Sequence, residues 1–218
     1  MITRRNLLVG ASVFAMVAAL GGLEALIHAQ PAAAQSIPPA ELLVPPPLGD
    51  RSLGKDDAPV TIVEYASMTC PHCAHFHETT YPELKKRYID TGKVRFIFCE
   101  FPLDPLAAGA SMLARCADKD KFFPMIETLF QLQRQWAVEK PIPPLLAIAK
   151  QAGFTEQSFN ACLSDQKMLD AMQAEQKRAT DKFGVNSTPT IFINGKKQVG
   201  GQSIEDLAKV IDPILSKS

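Results

Sequence analysis

The chain has 218 residues, 46% of them apolar and 21% charged, with 23 basic side chains balancing 23 acidic ones. That length and composition suit one well-buried domain, with room for a sizeable insertion. The even charge and the lack of a basic stripe or recognition motif exclude nucleic acid as a partner.

In chain order, residues 1–34 stand apart. Arg4 and Arg5 precede an uncharged run from Asn6 to Leu23, Glu24 ends it, and Ala32-Ala33-Ala34 offers a small-residue cleavage site. The pattern predicts a cleaved signal peptide and a periplasmic or otherwise exported protein. The run also approaches the roughly 20 residues of a membrane span, so an uncleaved anchor is the alternative. "TRRNLL" resembles a twin-arginine signal, a feature that ordinary secretory leaders share in part. Without this segment 21 basic and 22 acidic side chains remain. Export matters for the five cysteines, because an oxidising compartment permits stable disulfides.

Residues 35–58, with "SIPPAELLVPPPLGD", are proline-rich and predict an extended arm or linker with little regular structure. The main domain is expected over 59–216. "VTIVEY" (60–65) and "VRFIFCEF" (94–101) are compact apolar runs with β-branched residues and predict strands. Between them Phe76, Leu84 and Tyr88 share one helical face, and Pro82 predicts a kink. From about 105 to 183 only helical signals occur. "DPLAAGASMLARCA" and "FFPMIETLFQLQRQW" come first, then "PPLLAIAKQAG" ending at Gly153, and "TEQSFNACL" with Thr155 as N-cap. A last helix carries Leu169, Met172, Gln176, Ala179 and Phe183 on one face and stops at Gly184. "TPTIFINGKKQVGG" then predicts a hairpin turning at Asn194-Gly195, and a helix from Ser203 to about Leu215 closes the chain.

The chemistry concentrates in "TCPHCAHFH", residues 69–77. Haem attachment through C-x-x-C-H fails because Ala74 follows Cys73. A zinc site would crowd four ligands into eight residues without a separated second pair, so no metal is expected. His75 and His77 read as surface or rim histidines. A redox pair fits: Cys70 follows a strand where a helix begins, and helix-terminal N–H groups stabilise a thiolate there. Pro71 suits the first turn, and His72 adds positive charge or a hydrogen bond. Stabilising the Cys70 thiolate stabilises the reduced form, which makes the Cys70-Cys73 disulfide a stronger oxidant. Glu64 in an apolar strand costs free energy unless it is solvated or has a task, such as moving a proton to or from Cys73. A simple exposed strand position is the alternative.

With "CPHC" after "VTIVEYASMT" and "STPT" far downstream, the chain resembles the DsbA-like thiol:disulfide oxidoreductases of the thioredoxin-fold superfamily over about residues 50–216. It is closest to alphaproteobacterial members through "FPLDPLA" and a cysteine pair in the helical region. The resemblance implies an α/β thioredoxin fold with an inserted all-helical domain. It implies periplasmic placement and a peptide-binding groove; a monomer is expected because residues 35–58 are too short for a dimerisation domain, with self-association through the proline-rich arm as the alternative. Glu64 matches the acidic residue before the motif, and Pro189 matches a proline whose preceding peptide bond is cis, leaving the Thr188 backbone free to pair with substrate. The resemblance also implies a Cys116–Cys162 disulfide; two buried thiols are the alternative. Cys99 is then an unpaired, buried thiol.

The activity expected is donation of the Cys70-Cys73 disulfide to newly exported cysteine-containing proteins, without a cofactor, and reoxidation by a membrane partner of the DsbB type. A disulfide isomerase or reductase of the same fold is the nearest alternative, and a peptide-binding chaperone module a more distant one.

Overall fold

The computed structural model describes residues 36–217, so the expected signal peptide lies outside the described residues. Among these, no helix is long and apolar enough to cross a membrane. In chain order the elements are α1 (Pro39–Leu42), β1 (Arg51–Leu53), β2 (Val60–Ala66), α2 (Pro71–Thr79), α3 (Tyr81–Leu84) running into a π-helical turn (Lys85–Ile89), and β3 (Val94–Glu100). The helical excursion follows with α4 (Pro105–Cys116), α5 (Phe122–Gln131), α6 (Gln133–Trp136), α7 (Ile142–Gln151), α8 (Glu156–Leu163) and α9 (Gln166–Phe183). The chain ends with β4 (Thr190–Ile193), β5 (Lys196–Val199) and α10 (Ile204–Leu215).

The sheet has the order β1-β3-β2-β4-β5, with β2 and β3 parallel and the other neighbours antiparallel. A parallel pair needs a crossover, and α2 with α3 provides it. Because helices cover both faces, β2 and β3 are apolar almost throughout rather than alternating. On one face Ile62, Phe96, Phe98, Ile191 and Ile193 join α2, α4, α5 and α10 in a core continuous with the helical insertion. On the other, Val63, Tyr65, Ile97, Cys99 and Phe192 pack under Ala179 and Phe183 of α9 and under Ile37 and Leu42.

The punctuation acts as the sequence implies. Asp104 caps α4, Thr155 forms a capping box on α8, and Ser203 caps α10. Gly184 takes the left-handed conformation that ends α9, and Asn194-Gly195 makes the hairpin turn with positive φ at both residues.

Two expectations need correction. Residues 36–58 have little regular structure, as expected, but are not a free arm: Ile37 and Leu42 are buried, and β1 adds a fifth strand beside β3. What holds this segment is tertiary, since buried Arg115 forms an ion pair with Glu100 and donates to the carbonyls of Leu48 and Gly49. "FFPMIETLFQLQRQW" is not one helix but breaks at Leu132 into α5 and α6. The break lets Trp136 turn inward, where its indole N–H donates to the Leu129 carbonyl. At Pro82, where a kink is expected, α2 and α3 meet at Thr80, which keeps right-handed helical angles, donates its N–H to the Phe76 carbonyl and accepts from the Leu84 N–H, with Pro82 in the first turn of α3.

Candidate active site

Cys70 sits at the junction of β2 and α2 as the N-cap residue, extended at φ −76° and ψ 120°, with Pro71 in the first turn. The fixed φ of proline and its missing N–H suit that turn, and the free N–H groups behind it face the sulfur. Cys70 keeps 6% of its surface exposed and Cys73 none, so one thiol is outer and one inner. Both are reduced, as is buried Cys99 on β3.

The thiol of Cys70 donates to the carbonyl oxygen of Thr188 at 3.3 Å. Thr188 precedes Pro189 across a cis peptide bond, in the segment that leads into β4. As a thiolate, Cys70 is held at a pKa of about 5, well below the ordinary value of 9.0. The Cys73 thiol donating to it is the largest cause, opposed by burial and helped by the Thr188 side chain and the backbone N–H groups of Cys73 and His72. The Thr188 hydroxyl is buried with no hydrogen-bond partner among the described residues, so it is free to turn towards the thiolate. Cys73 is pushed far up, first by burial, then by its hydrogen bond to Cys70 and the negative charge of Glu64. The pair therefore divides its labour: Cys70 carries charge and Cys73 carries the proton.

This asymmetry makes the stability of the fold depend on pH. A depressed pKa stabilises the reduced protein fully above the unfolded value of 9.0, and the gain falls away as pH drops through about 5. Cys73 stays protonated over that range and contributes no slope there. The stability difference between protein selectively reduced at Cys70–Cys73 and oxidised protein should therefore shift towards the oxidised form as pH falls from about 8 to about 4. Thermal unfolding of the two forms across that range checks the sign, and a difference independent of pH would contradict thiolate stabilisation.

The other expected residues are placed as follows. Pro71 and His72 are exposed, and His72 reaches Cys70 through its backbone N–H rather than its ring. Glu64 is not an exposed strand position: it is fully buried on the face of β2 that meets α2. His77 is not a rim histidine. It is 6% exposed, its Nε2 lies 2.9 Å from Glu64 Oε2, and its ring stacks on Phe130 at 4.4 Å and tilts against Tyr81 at 4.7 Å. His75, by contrast, is exposed. No group of three His, Cys, Asp or Glu side chains among the described residues is arranged to hold a metal.

Residues outside the motif also shape the site. Gln133, 7% exposed on α6, donates from Nε2 to the carbonyls of Met68 (2.8 Å) and Cys70 (3.0 Å), tying the helical insertion to the active-site turn. Asp104 does the same from α4, accepting from Thr69 Oγ1 at 2.6 Å with one oxygen and from the Ala107 N–H with the other. A mostly apolar cavity of about 570 Å³ begins at Leu103 and Asp104 and runs past Met112, Ile142 and Leu169. Cys116 and Cys162 are joined by a disulfide between the end of α4 and α8, remote in sequence from Cys70.

Comparison with known proteins gives concordant results. A thioredoxin family model matches residues 48–213. A Rickettsia bellii protein named as a candidate protein-disulfide oxidoreductase is 36% identical over 171 residues, which cover 78% of this chain and 66% of that protein. Disulfide bond formation protein D of Bacillus subtilis is 33% identical over 153 residues, covering 68% of this chain and 69% of the relative. The crystal structure of Wolbachia pipientis alpha-DsbA1 superposes with a TM-score of 0.76 at 34% identity, over 81% of this chain and 96% of that one. Of the Rickettsia relatives the chain spans 61–66% of the length. With a thioredoxin sheet interrupted by a helical insertion, a C-P-H-C motif at the head of α2 and relatives of this similarity, the chain belongs to the DsbA-like group of the thioredoxin family.

Proposed function

We propose that this protein is an exported thiol:disulfide oxidoreductase that works as an oxidase, passing the Cys70-Cys73 disulfide to cysteine-containing proteins in the periplasm. The observation that carries the reading is the division between the two sulfurs: the outer one is surrounded by donors that favour its thiolate, and the inner one is buried and protonated. A substrate thiolate attacks Cys70, the Cys70–Cys73 bond breaks, and Cys73 departs and takes up a proton. A second substrate thiolate then attacks Cys70 and releases the oxidised substrate. Cys70 is a good leaving group in that second step because its thiolate is stable, and the same stability favours the reduced enzyme, which drives electrons from substrate to enzyme.

Glu64, buried on the strand beneath α2, exchanges the proton of Cys73. Thr188 presents its carbonyl beside Cys70, where an extended substrate backbone pairs with the segment before β4. The helical insertion, anchored through Gln133 and Asp104, lines the approach with the apolar cavity that starts at Leu103. Residues 1–34 direct export, and a membrane partner of the DsbB type returns the pair to its disulfide.

The direction of flow is tested in the native cell. Acid quenching followed by alkylation of free thiols with a mass tag reads the steady-state form of Cys70 and Cys73. A mainly oxidised pair is expected; a mainly reduced pair would replace the oxidase with an isomerase or reductase of the same fold.

A further inference from the structure

The active site sits above a second, fully internal pair that the C-x-x-C motif does not explain. Glu64 has no exposed surface, and only Oε2 has a partner, the His77 imidazole at 2.9 Å; Oε1 is buried without one. His77 lies one turn beyond Cys73 on α2, and Glu64, whose charge acts on the inner thiol, is the group that meets its imidazole. The imidazole is held among aromatic rings: Phe130 of α5 stacks on it, Tyr81 of α3 lies tilted against it, and Phe76 and Phe98 of β3 pack roughly perpendicular to it. Its second nitrogen, Nδ1, is buried and has no hydrogen-bond partner among the described residues. A buried aromatic position with no task is better filled by phenylalanine, because an unpartnered polar nitrogen costs free energy there.

His77 and Tyr81 also line a cavity of about 540 Å³ whose wall carries Glu78 from α2, Lys85, Lys86 and Asp90 from the π-helical turn and its end, and Glu127 from α5. His77 thus meets Glu64 on the side of the active site and also forms part of the wall of a cavity edged by charged side chains. Imidazole takes up and releases protons at either nitrogen and changes charge between about pH 5 and 8 in ordinary peptides.

We infer that His77 is a positioning residue that relays the proton of Cys73: it exchanges a proton with Glu64 and passes it to water in the cavity lined by Tyr81 and Glu127. The inference rests on the proposed oxidoreductase reading and assigns its proton path. When Cys73 attacks a mixed disulfide on Cys70, the Cys70–Cys73 bond forms, the Cys70–substrate bond breaks, and the substrate leaves as a thiolate. The proton that Cys73 gives up goes to Glu64, then to His77, then to water. In the opposite direction the same groups return a proton to Cys73 as it departs. Without the relay, Glu64 is an internal carboxylate with no exit for its proton.

The test uses full-length protein carrying a mixed disulfide between Cys70 and a cysteine-containing peptide, with peptide release followed by stopped flow from about pH 5 to 9. The wild type should rise with pH and level off through neutrality. His77→Gln keeps a donor for Glu64 but cannot carry a proton onward, and His77→Phe keeps the stacking on Phe130. Both should release peptide about a hundredfold more slowly near neutral pH, within the range that positioned proton transfer supplies. Their rates should climb about tenfold per pH unit without levelling, as expected when hydroxide replaces an internal base. Thermal unfolding establishes that each variant is folded. If either folded variant keeps the wild-type rate and profile, the relay is refuted and His77 is structural. If the wild type itself releases peptide no faster than Cys73→Ser, the oxidoreductase reading fails instead, so the two failures are distinguishable.

Discussion

Cys70→Ser should abolish disulfide transfer, lowering the oxidation of a reduced dithiol peptide to the rate of the uncatalysed exchange. The loss is total because this sulfur has three roles that no neighbour can assume. It is the outer atom of the pair and the only one with exposed surface, so it is where substrate attacks. It is the sulfur whose thiolate is stabilised, down to a pKa of about 5, so it is the competent leaving group in the second step. It is also the atom beside Thr188. Serine at this position offers neither a disulfide partner nor a stable anion. Cys73→Ser should behave differently: the outer thiol remains, a mixed disulfide forms, and it accumulates because the inner nucleophile is missing. Mass spectrometry of the adduct and a fluorescence assay of peptide oxidation check both variants together. A peptide-binding module would survive Cys70→Ser with its function intact, so retained activity in a protection assay, with no activity lost in the oxidation assay, would overturn the catalytic reading.

Those roles were largely legible in the chain because they are local. Four residues, Cys70 to Cys73, contain the pair, the proline that starts the helix and the backbone donors. β2 and β3 announced themselves by continuous apolar runs, and the helices by the prolines, caps and glycines at their ends. What escaped was set by partners far along the chain. "RSL" at 51–53 has no pattern of its own and becomes a strand only because β3 offers an open edge and Arg115 fastens the segment before it. Gln133 reads as one more polar residue in an amphipathic helix, yet it points inward to carbonyls 63 and 65 residues away. His77 is the instructive case. Its spacing from Cys73 placed it one helical turn away, and Glu64 stood out in an apolar strand, but a helix that begins a few residues past the strand does not state which of its faces meets that carboxylate. The crossover geometry decides that, and it brings the two together at 2.9 Å.

The second large effect concerns the bridge between Cys116 and Cys162. Replacing both by alanine should lower the unfolding free energy by about 4 kcal/mol, since a cross-link over 46 residues removes that much entropy from the unfolded chain. The bridge ties the last residue of α4 to α8, whereas the first residues of α4 are tied to the active-site turn by Asp104 and Thr69. Between those ends Ala107, Ala110, Leu113 and Ala114 are buried without exposure, so the helix is seated in the core along its length. That seating predicts a separation of effects. The bridge stabilises by limiting the unfolded chain, and its loss should leave the thiolate of Cys70 nearly unchanged, because none of the groups that depress its pKa lies on α4 or α8. Urea unfolding of Cys116→Ala/Cys162→Ala against its parent, both carrying Cys70→Ser and Cys73→Ser so that one disulfide alone is compared, measures the first part. Thiolate absorbance against pH in the double variant with Cys70 and Cys73 intact measures the second. A stability loss under about 1 kcal/mol would show that the bridge does little to the unfolded ensemble. A large shift in the Cys70 titration would show instead that α4 transmits the state of its far end to the active-site turn through Asp104.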